Sequence, residues 1–250
     1  SNDIRSMVDT AFGTNFSYFR ESGYQIPNGI ISRYPIIASG SWIDVVQSQP
    51  NRGFAWARID LPGTNDLYVV SVHLLGSSST SRASEATNLK VLMQANFPSN
   101  AWMILGGDFN VSTRTESAMG TFTTYLRDFP IPTDAEVGGN SDTSVNRNHP
   151  YDYVLPSFSF TNRMVSSVFP SHSFSNGLVF DSRVYTPLPD VSPVQSGDSG
   201  LGQHMAVLKD FRIPFAPDNP VPGAPVITGD PQSQSVNVSS NVTFSVVATG

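Results

Sequence analysis

The stretch Met103-Ile104-Leu105-Gly106-Gly107-Asp108-Phe109-Asn110 constrains this chain more than any other. Its apolar run, Met103 to Leu105, suits a strand covered on both faces. Gly106 and Gly107 remove side chains where a ligand or another backbone must come close. Asp108 and Asn110 stand two residues apart, so on an extended backbone they point to one side while Phe109 turns to the other. A carboxylate and an amide that emerge together at a strand end can orient a water and hold a phosphoryl oxygen. The same residues also read as a strand running into an Asx turn, with both side chains bonded to local backbone. Taken alone, the eight residues favour the turn.

Around this stretch, strands outnumber helices. Strands are expected at 15–19, at 28–37 with a turn at Pro35, at 54–60 and at 67–74, the last two joined as a hairpin through Thr64-Asn65-Asp66. Ser81 to Ala95 has helical spacing, with Ala86, Leu89, Val91 and Leu92 on one side and Arg82, Glu85 and Lys90 on the solvated face. Ile4 to Phe12 and Thr115 to Leu126 read as further helices, and 134–148 as a polar surface loop. Further strands are expected at 151–156 and 165–169. A long loop then runs from Pro170 to Gln203, and a closing strand from His204 to Ile213. Hairpins mixed with helical crossovers imply an α+β fold with helices outside mixed or antiparallel sheets.

This domain is expected to span 1–215, followed by a Pro-rich linker at 216–225. Residues 226–250 carry two strand-like pieces, Val226-Ile227-Thr228 and Val242 to Ala248. Short strands with a proline near the first resemble the opening of an immunoglobulin-like module, here too short to bury a core. Both ends look cut: the N-terminus shows no signal peptide and no convincing first strand.

Net charge is −6 with a pI near 5.0, which argues against broad gripping of nucleic acid but leaves room for a local basic cleft. The absence of cysteine excludes disulfides and thiolate chemistry. No run is long and apolar enough to span a membrane as a helix. Only 14% of residues are charged, and the polar, uncharged surface this implies suits a secreted bacterial protein, expected to be a monomer.

His73, the Asp108/Asn110 pair, Asp152 and His204 each sit at a strand end or start. A single histidine or aspartate in such a place is more often structural. Together they hold what hydrolysis of a phosphodiester needs. A histidine can activate water, and a carboxylate behind it fixes its tautomer and favours the imidazolium. An amide and a second histidine can meet growing charge on phosphoryl oxygens. A hard cation on oxygen ligands offsets that charge.

Asn28-Gly29-Ile30-Ile31-Ser32-Arg33-Tyr34-Pro35, Ser71-Val72-His73, Gly107-Asp108-Phe109-Asn110, Tyr151-Asp152-Tyr153-Val154 and His204-Met205-Ala206-Val207 occur in the order of the endonuclease/exonuclease/phosphatase superfamily. The chain resembles its deoxyribonuclease I-like members over about residues 1 to 215. The resemblance implies a two-sheet β-sandwich flanked by helices, with the site at one end. It implies that Asp108 orients the nucleophilic water and that Asn110 contacts the scissile phosphate. His73 would contact phosphate or donate a proton, and Asp152 would pair with the closing-strand His204. The cofactor implied is Mg²⁺, or Mn²⁺ or Ca²⁺ in its place.

Two departures stand out. The family's closing Asp-His is here Gln203-His204, with Asp198 close enough in sequence to substitute at a metal site. The family's early Gln-Glu pair, whose Glu binds the metal, has no counterpart, since Glu21 lacks the strand context. Poor Mg²⁺ binding and weak activity are therefore expected of this chain.

Arg33, Arg82, Arg114 and Arg147 offer a basic rim for substrate, Arg33 and Arg82 foremost, or are ordinary surface arginines. The first functional reading is a secreted metal-dependent phosphodiesterase, a nuclease in particular. The second is a phosphatase or phospholipid phosphodiesterase on the same scaffold. The third is a binding or adhesion module that kept the fold and lost the metal site.

Overall fold

A computed structural model describes residues 2–46, 51–63, 65–213, 226–229 and 242–249. The chain divides into two compact units, Ser1–Leu61 with Asn65–Ile213, and Pro62–Thr64 with Pro214–Gly250. The first unit opens with α1 (Asn2–Phe12), the hairpin β1 (Ser17–Arg20) and β2 (Gly29–Ser32), then β3 (Ile36–Ile43), β4 (Gly53–Ile59) and β5 (Leu67–His73). Next come α2 (Ser79–Asn96), β6 (Trp102–Asp108), α3 (Ser117–Phe122), β7 (Asp152–Pro156) and α4 (Phe158–Thr161). Short pieces follow: β8 (Met164–Val165), β9 (Ser167–Val168), β10 (Ser173–Phe174), β11 (Leu178–Phe180), a 3₁₀ turn Leu188–Val191, α5 (Asp198–Leu201), β12 (Ala206–Leu208) and β13 (Asp210–Phe211).

The central sheet has five strands in the order β3-β4-β5-β6-β7. All neighbours are antiparallel except β5 and β6, which run parallel and are joined by the crossover helix α2. Alternation sorts the side chains into two cores. Phe54, Val70, Val72, Met103, Leu105, Tyr153 and Leu155 face α2 and α3, where Leu89, Met93, Met119 and Phe122 meet them. Ala57, Ile59, Trp102 and Ile104 face the other way, onto Ile30 of β2, Phe160 of α4 and Phe211 of β13. Each side chain fully buried on these faces contributes about 1.5–3 kcal/mol. The central strand is thus covered on both sides, as its apolar run implies. The layer opposite the helices is assembled from two-stranded ladders, β1–β2 and β8–β13, rather than from one continuous sheet.

Several local expectations are corrected. In α2 the buried residues are Arg82, Glu85, Ala86, Leu89 and Met93, so Arg82 (4% exposed) and Glu85 (0%) lie on the inner face while Val91 is 59% exposed. The inner stripe runs through two charged residues because each meets a partner there, Arg82 the half-buried Glu116 and Glu85 the Leu75 N–H. The helix expected over 115–126 is only Ser117–Phe122; beyond it, the Thr123 and Thr124 hydroxyls bond nearby carbonyls and compete with helical continuation. The strand expected at 165–169 breaks at Ser166 into β8 and β9, and 170–203 holds β10, β11 and α5. Segment 134–148 is no simple surface loop: Asp134, Thr143 and Ser144 in it are buried.

In the second unit, β14 (Val226–Gly229) pairs antiparallel with β15 (Val247–Thr249), while Val242 to Val246 form no regular strand. The linker expected at 216–225 lies outside the described residues, as does Thr64 of the hairpin connection.

Candidate active site

Register brings the site together. The parallel β5–β6 ladder sets His73 opposite Asp108, and the antiparallel β6–β7 ladder sets Asp108 opposite Asp152. Three residues distant in sequence therefore stand side by side at one end of the sheet. His73 Nε2 lies 3.3 Å from Asp108 Oδ2. His204 arrives just ahead of β12, bridged to Ser144. Its Nδ1 lies 2.9 Å from Asp152 Oδ2, 3.2 Å from Oδ1 and 3.9 Å from Asp108 Oδ2.

The tip of β6 is shaped by close backbone approach. Gly107 has φ of 133°, and a Cβ there would overlap the Val72 carbonyl oxygen, so the glycine admits the neighbouring strand rather than a ligand. Asn110 takes φ of 52°, a left-handed conformation that Asn tolerates. Its N–H donates to Asp108 Oδ1 at 2.8 Å, and its Nδ2 donates to Leu74 O at 2.8 Å. The Asx turn and the site thus coexist: Oδ1 of Asp108 caps the turn, Oδ2 faces both histidines, and among the described residues one hydrogen of the Asn110 amide is left over.

Burial, then the nearby Arg52 guanidinium, push the His73 imidazole below its ordinary value, against the pull of Asp108. Burial and the neighbouring Asp152 charge hold Asp108 above the usual carboxylate range, against the Asn110 N–H and the two histidines. Burial lifts Asp152 as well, against the Thr143 hydroxyl and His204. Two desolvated carboxylates pressed together are relieved by a cation between them. Asp108, Asp152 and His204 could hold a metal ion, since one donor atom from each lies within 4.8 Å of the others.

The remaining sequence candidates fall elsewhere. Asp198 is exposed at the start of α5, where its Oδ2 accepts the Gln195 N–H at 2.9 Å; it is not in this group. Glu21 is buried and spends its carboxylate on the Asn28 and Gly53 N–H groups and the Ser41 hydroxyl. Arg82 grips Glu116 through Nε (3.0 Å) and Nη2 (2.8 and 2.9 Å), while its Nη1 reaches Leu75 O and Gly76 O. It is a buried staple between the loops after β5 and β6, with its donors turned to protein oxygens. Arg114 pairs with Asp128 at 2.7 Å, and Arg147 pairs with Asp134 and Asp181. Only Arg33 of the four stays exposed, beside the Tyr34 hydroxyl at 3.1 Å. Acidic partners thus cancel most of the expected basic rim.

Two residues escaped the sequence reading. Arg52 is buried with Nη1 3.4 Å from the carbonyls of His73 and Leu74. Thr143, fully buried, donates its hydroxyl to Asp152 Oδ2 at 2.7 Å. Neither sits in an apolar period or a motif, so no local signal marks it.

No protein-family profile matches the chain, and no curated protein does. Solved structures do, and the fold they show is that of proteins described as endonuclease/exonuclease/phosphatase. One, from Beutenbergia cavernae DSM 12333 and so described, is 13% identical with a TM-score of 0.57, covering 90% of this chain and 60% of its own. The mannosyl-6-phosphatase of Bacteroides thetaiotaomicron VPI-5482 is also 13% identical, with a TM-score of 0.55 and coverage of 85% and 82%. A functionally unknown conserved protein from Enterococcus faecalis V583 is 12% identical, with a TM-score of 0.55 and coverage of 80% and 79%.

Proposed function

We propose that the domain at 1–215 is a metal-dependent hydrolase of phosphate esters, acting by direct attack of water. The supporting observation is the convergence of His73, Asp108, Asp152 and His204 on adjacent strands at one end of the sheet. His204, anchored through Nδ1 on Asp152, takes the proton from water as the new P–O bond forms, and Asp152 stabilises the resulting imidazolium. Asp108 orients that water through Oδ2. His73, whose imidazole burial and then Arg52 push below its ordinary value, stands beside Asp108 and contacts a phosphoryl oxygen. The free hydrogen of the Asn110 amide serves the same end. The ester P–O bond breaks, and the departing oxygen takes a proton from solvent.

Asp108 and Asp152 would hold the cation, and their oxygens suit Mg²⁺ or Mn²⁺. When bound it offsets charge on the phosphoryl oxygens. This donor set replaces the Asp198 assignment.

Nuclease action is one form of this chemistry. The pairing of Arg82, Arg114 and Arg147 with acids, together with the net charge of −6, favours a second: a small phosphate ester in place of a polyanionic strand. The deciding assay sets bis(p-nitrophenyl) phosphate, p-nitrophenyl phosphate and plasmid DNA side by side, with Mn²⁺ or Mg²⁺ and with chelator. Weak, chelator-sensitive turnover of a small ester is expected, falling about 10²–10⁴-fold in His204→Ala. No chelator-sensitive turnover of any of the three would leave the binding-module reading standing.

A further inference from the structure

His204 follows a long excursion from β11 and must arrive beside Asp152 with its ring nitrogen at hydrogen-bond distance. The segment that makes this happen is short. Val145 N–H donates to Gln203 O at 2.9 Å, Ser144 and His204 form a bridge, and Met205 N–H donates to Thr143 O at 2.7 Å. Residues 143–145 thus lie along 203–205 as a small ladder. The segment is keyed in place by Arg147, which pairs with Asp134 and with Asp181, the residue just after β11. β11 in turn pairs with β12, so both flanks of His204 are tied to the same frame.

Thr143 is where this ladder meets the catalytic carboxylate. Its N–H and that of Ser144 both donate to His149 O, closing a turn that returns the chain to β7. The Thr143 hydroxyl then bonds Asp152 twice over: it donates to Oδ2 at 2.7 Å and accepts the Asp152 N–H at 2.9 Å. One hydrogen and one lone pair are used, so the bonding is reciprocal and sets the rotation of the Asp152 side chain. Through its carbonyl the same residue holds the His204 segment.

We propose that Thr143 is a positioning residue, which joins Asp152 through its hydroxyl to the His204 segment through its carbonyl and so fixes the carboxylate–imidazole spacing. The role in turnover rests on the phosphate-ester reading above; the role in geometry does not. The partners of ligating carboxylates govern metal affinity as well as orientation. Thr143 should therefore matter to cation binding even though it touches neither cation nor substrate.

The test compares Thr143→Val, which keeps the shape and loses the hydroxyl, with Thr143→Ser, which keeps the hydroxyl. Crystal structures of both are expected to show the Asp152 carboxylate turned out of reach of His204 Nδ1 in the valine variant and in place in the serine variant. Calorimetric titration with Mn²⁺ should show affinity about ten- to a hundred-fold lower in Thr143→Val and restored in Thr143→Ser. Turnover of bis(p-nitrophenyl) phosphate should fall in kcat with KM unchanged. A valine variant that keeps the Asp152–His204 hydrogen bond and binds Mn²⁺ as tightly as the wild type overturns the proposal. If the wild type neither binds Mn²⁺ nor hydrolyses any ester, the phosphate-ester reading falls, and the crystallographic comparison alone still decides the claim for Thr143.

Discussion

Replacing Arg82 by Ala separates its two possible roles. As a substrate contact on a solvated face, Arg82 would contribute little to stability, and its loss would raise KM. As the buried staple seen here, its loss leaves the Glu116 carboxylate largely buried with no cation, and leaves two carbonyls, Leu75 O and Gly76 O, without a donor. Removing one partner of a buried ion pair costs about 3–5 kcal/mol. For a domain of this size that lowers Tm by roughly 6–20 °C. Urea unfolding followed by tryptophan fluorescence reports on the right unit, because Trp42, Trp56 and Trp102 all lie in the central sheet. Arg82→Lys should recover only part of the loss, since an ammonium cannot reproduce the two-pronged grip on Glu116. A loss below about 1 kcal/mol for Arg82→Ala, typical of an exposed pair, would refute the staple.

Three further outcomes are expected. Asp108→Asn should be more stable than the wild type in chelator at pH 8, because the folded protein holds Asp108 above its unfolded value of about 3.9 and its charge therefore costs stability once ionised. That advantage should shrink as pH falls through the folded value toward 4; urea midpoints across pH that show a constant gap, or none, would contradict it. His73 has the opposite sign: its lowered value means that stability is lost as pH falls below about 6.5, so His73→Asn in chelator should flatten the stability profile there. Gly107→Ala should cost about 3 kcal/mol or more, from positive φ and overlap with Val72 O, whereas Gly106→Ala, whose Cβ would lie 3.2 Å from Tyr153 O, should cost less in the same unfolding measurement.

How much of this was legible beforehand depends on whether the signal is local. The run Met103 to Leu105 announced a doubly covered strand because burial on both faces leaves no polar position in it. The turn at Pro35 and the hairpin before Leu67 were legible because turn chemistry lies in adjacent residues. Arg82 was misplaced for the opposite reason. Helical periodicity sorts residues by polarity, and it cannot see that Glu116, in a distant segment, waits to pair with a buried guanidinium. The same blindness hid Thr143 and gave Asp198 a role that its own turn had already claimed.

The amino-acid order by itself determined where the strands of the central sheet lie, which way their side chains alternate, and which polar residues stand at their ends. Those properties follow from steric and hydrophobic preferences acting over a few residues. Tertiary structure alone decided that Asp108 sits between His73 and Asp152, that His204 closes onto Asp152, and that three of four arginines are spent on acids. Those facts depend on register, where a shift of one residue would turn His73, Asp108 or Asp152 to the other face of the sheet, and on charges meeting across long stretches of chain.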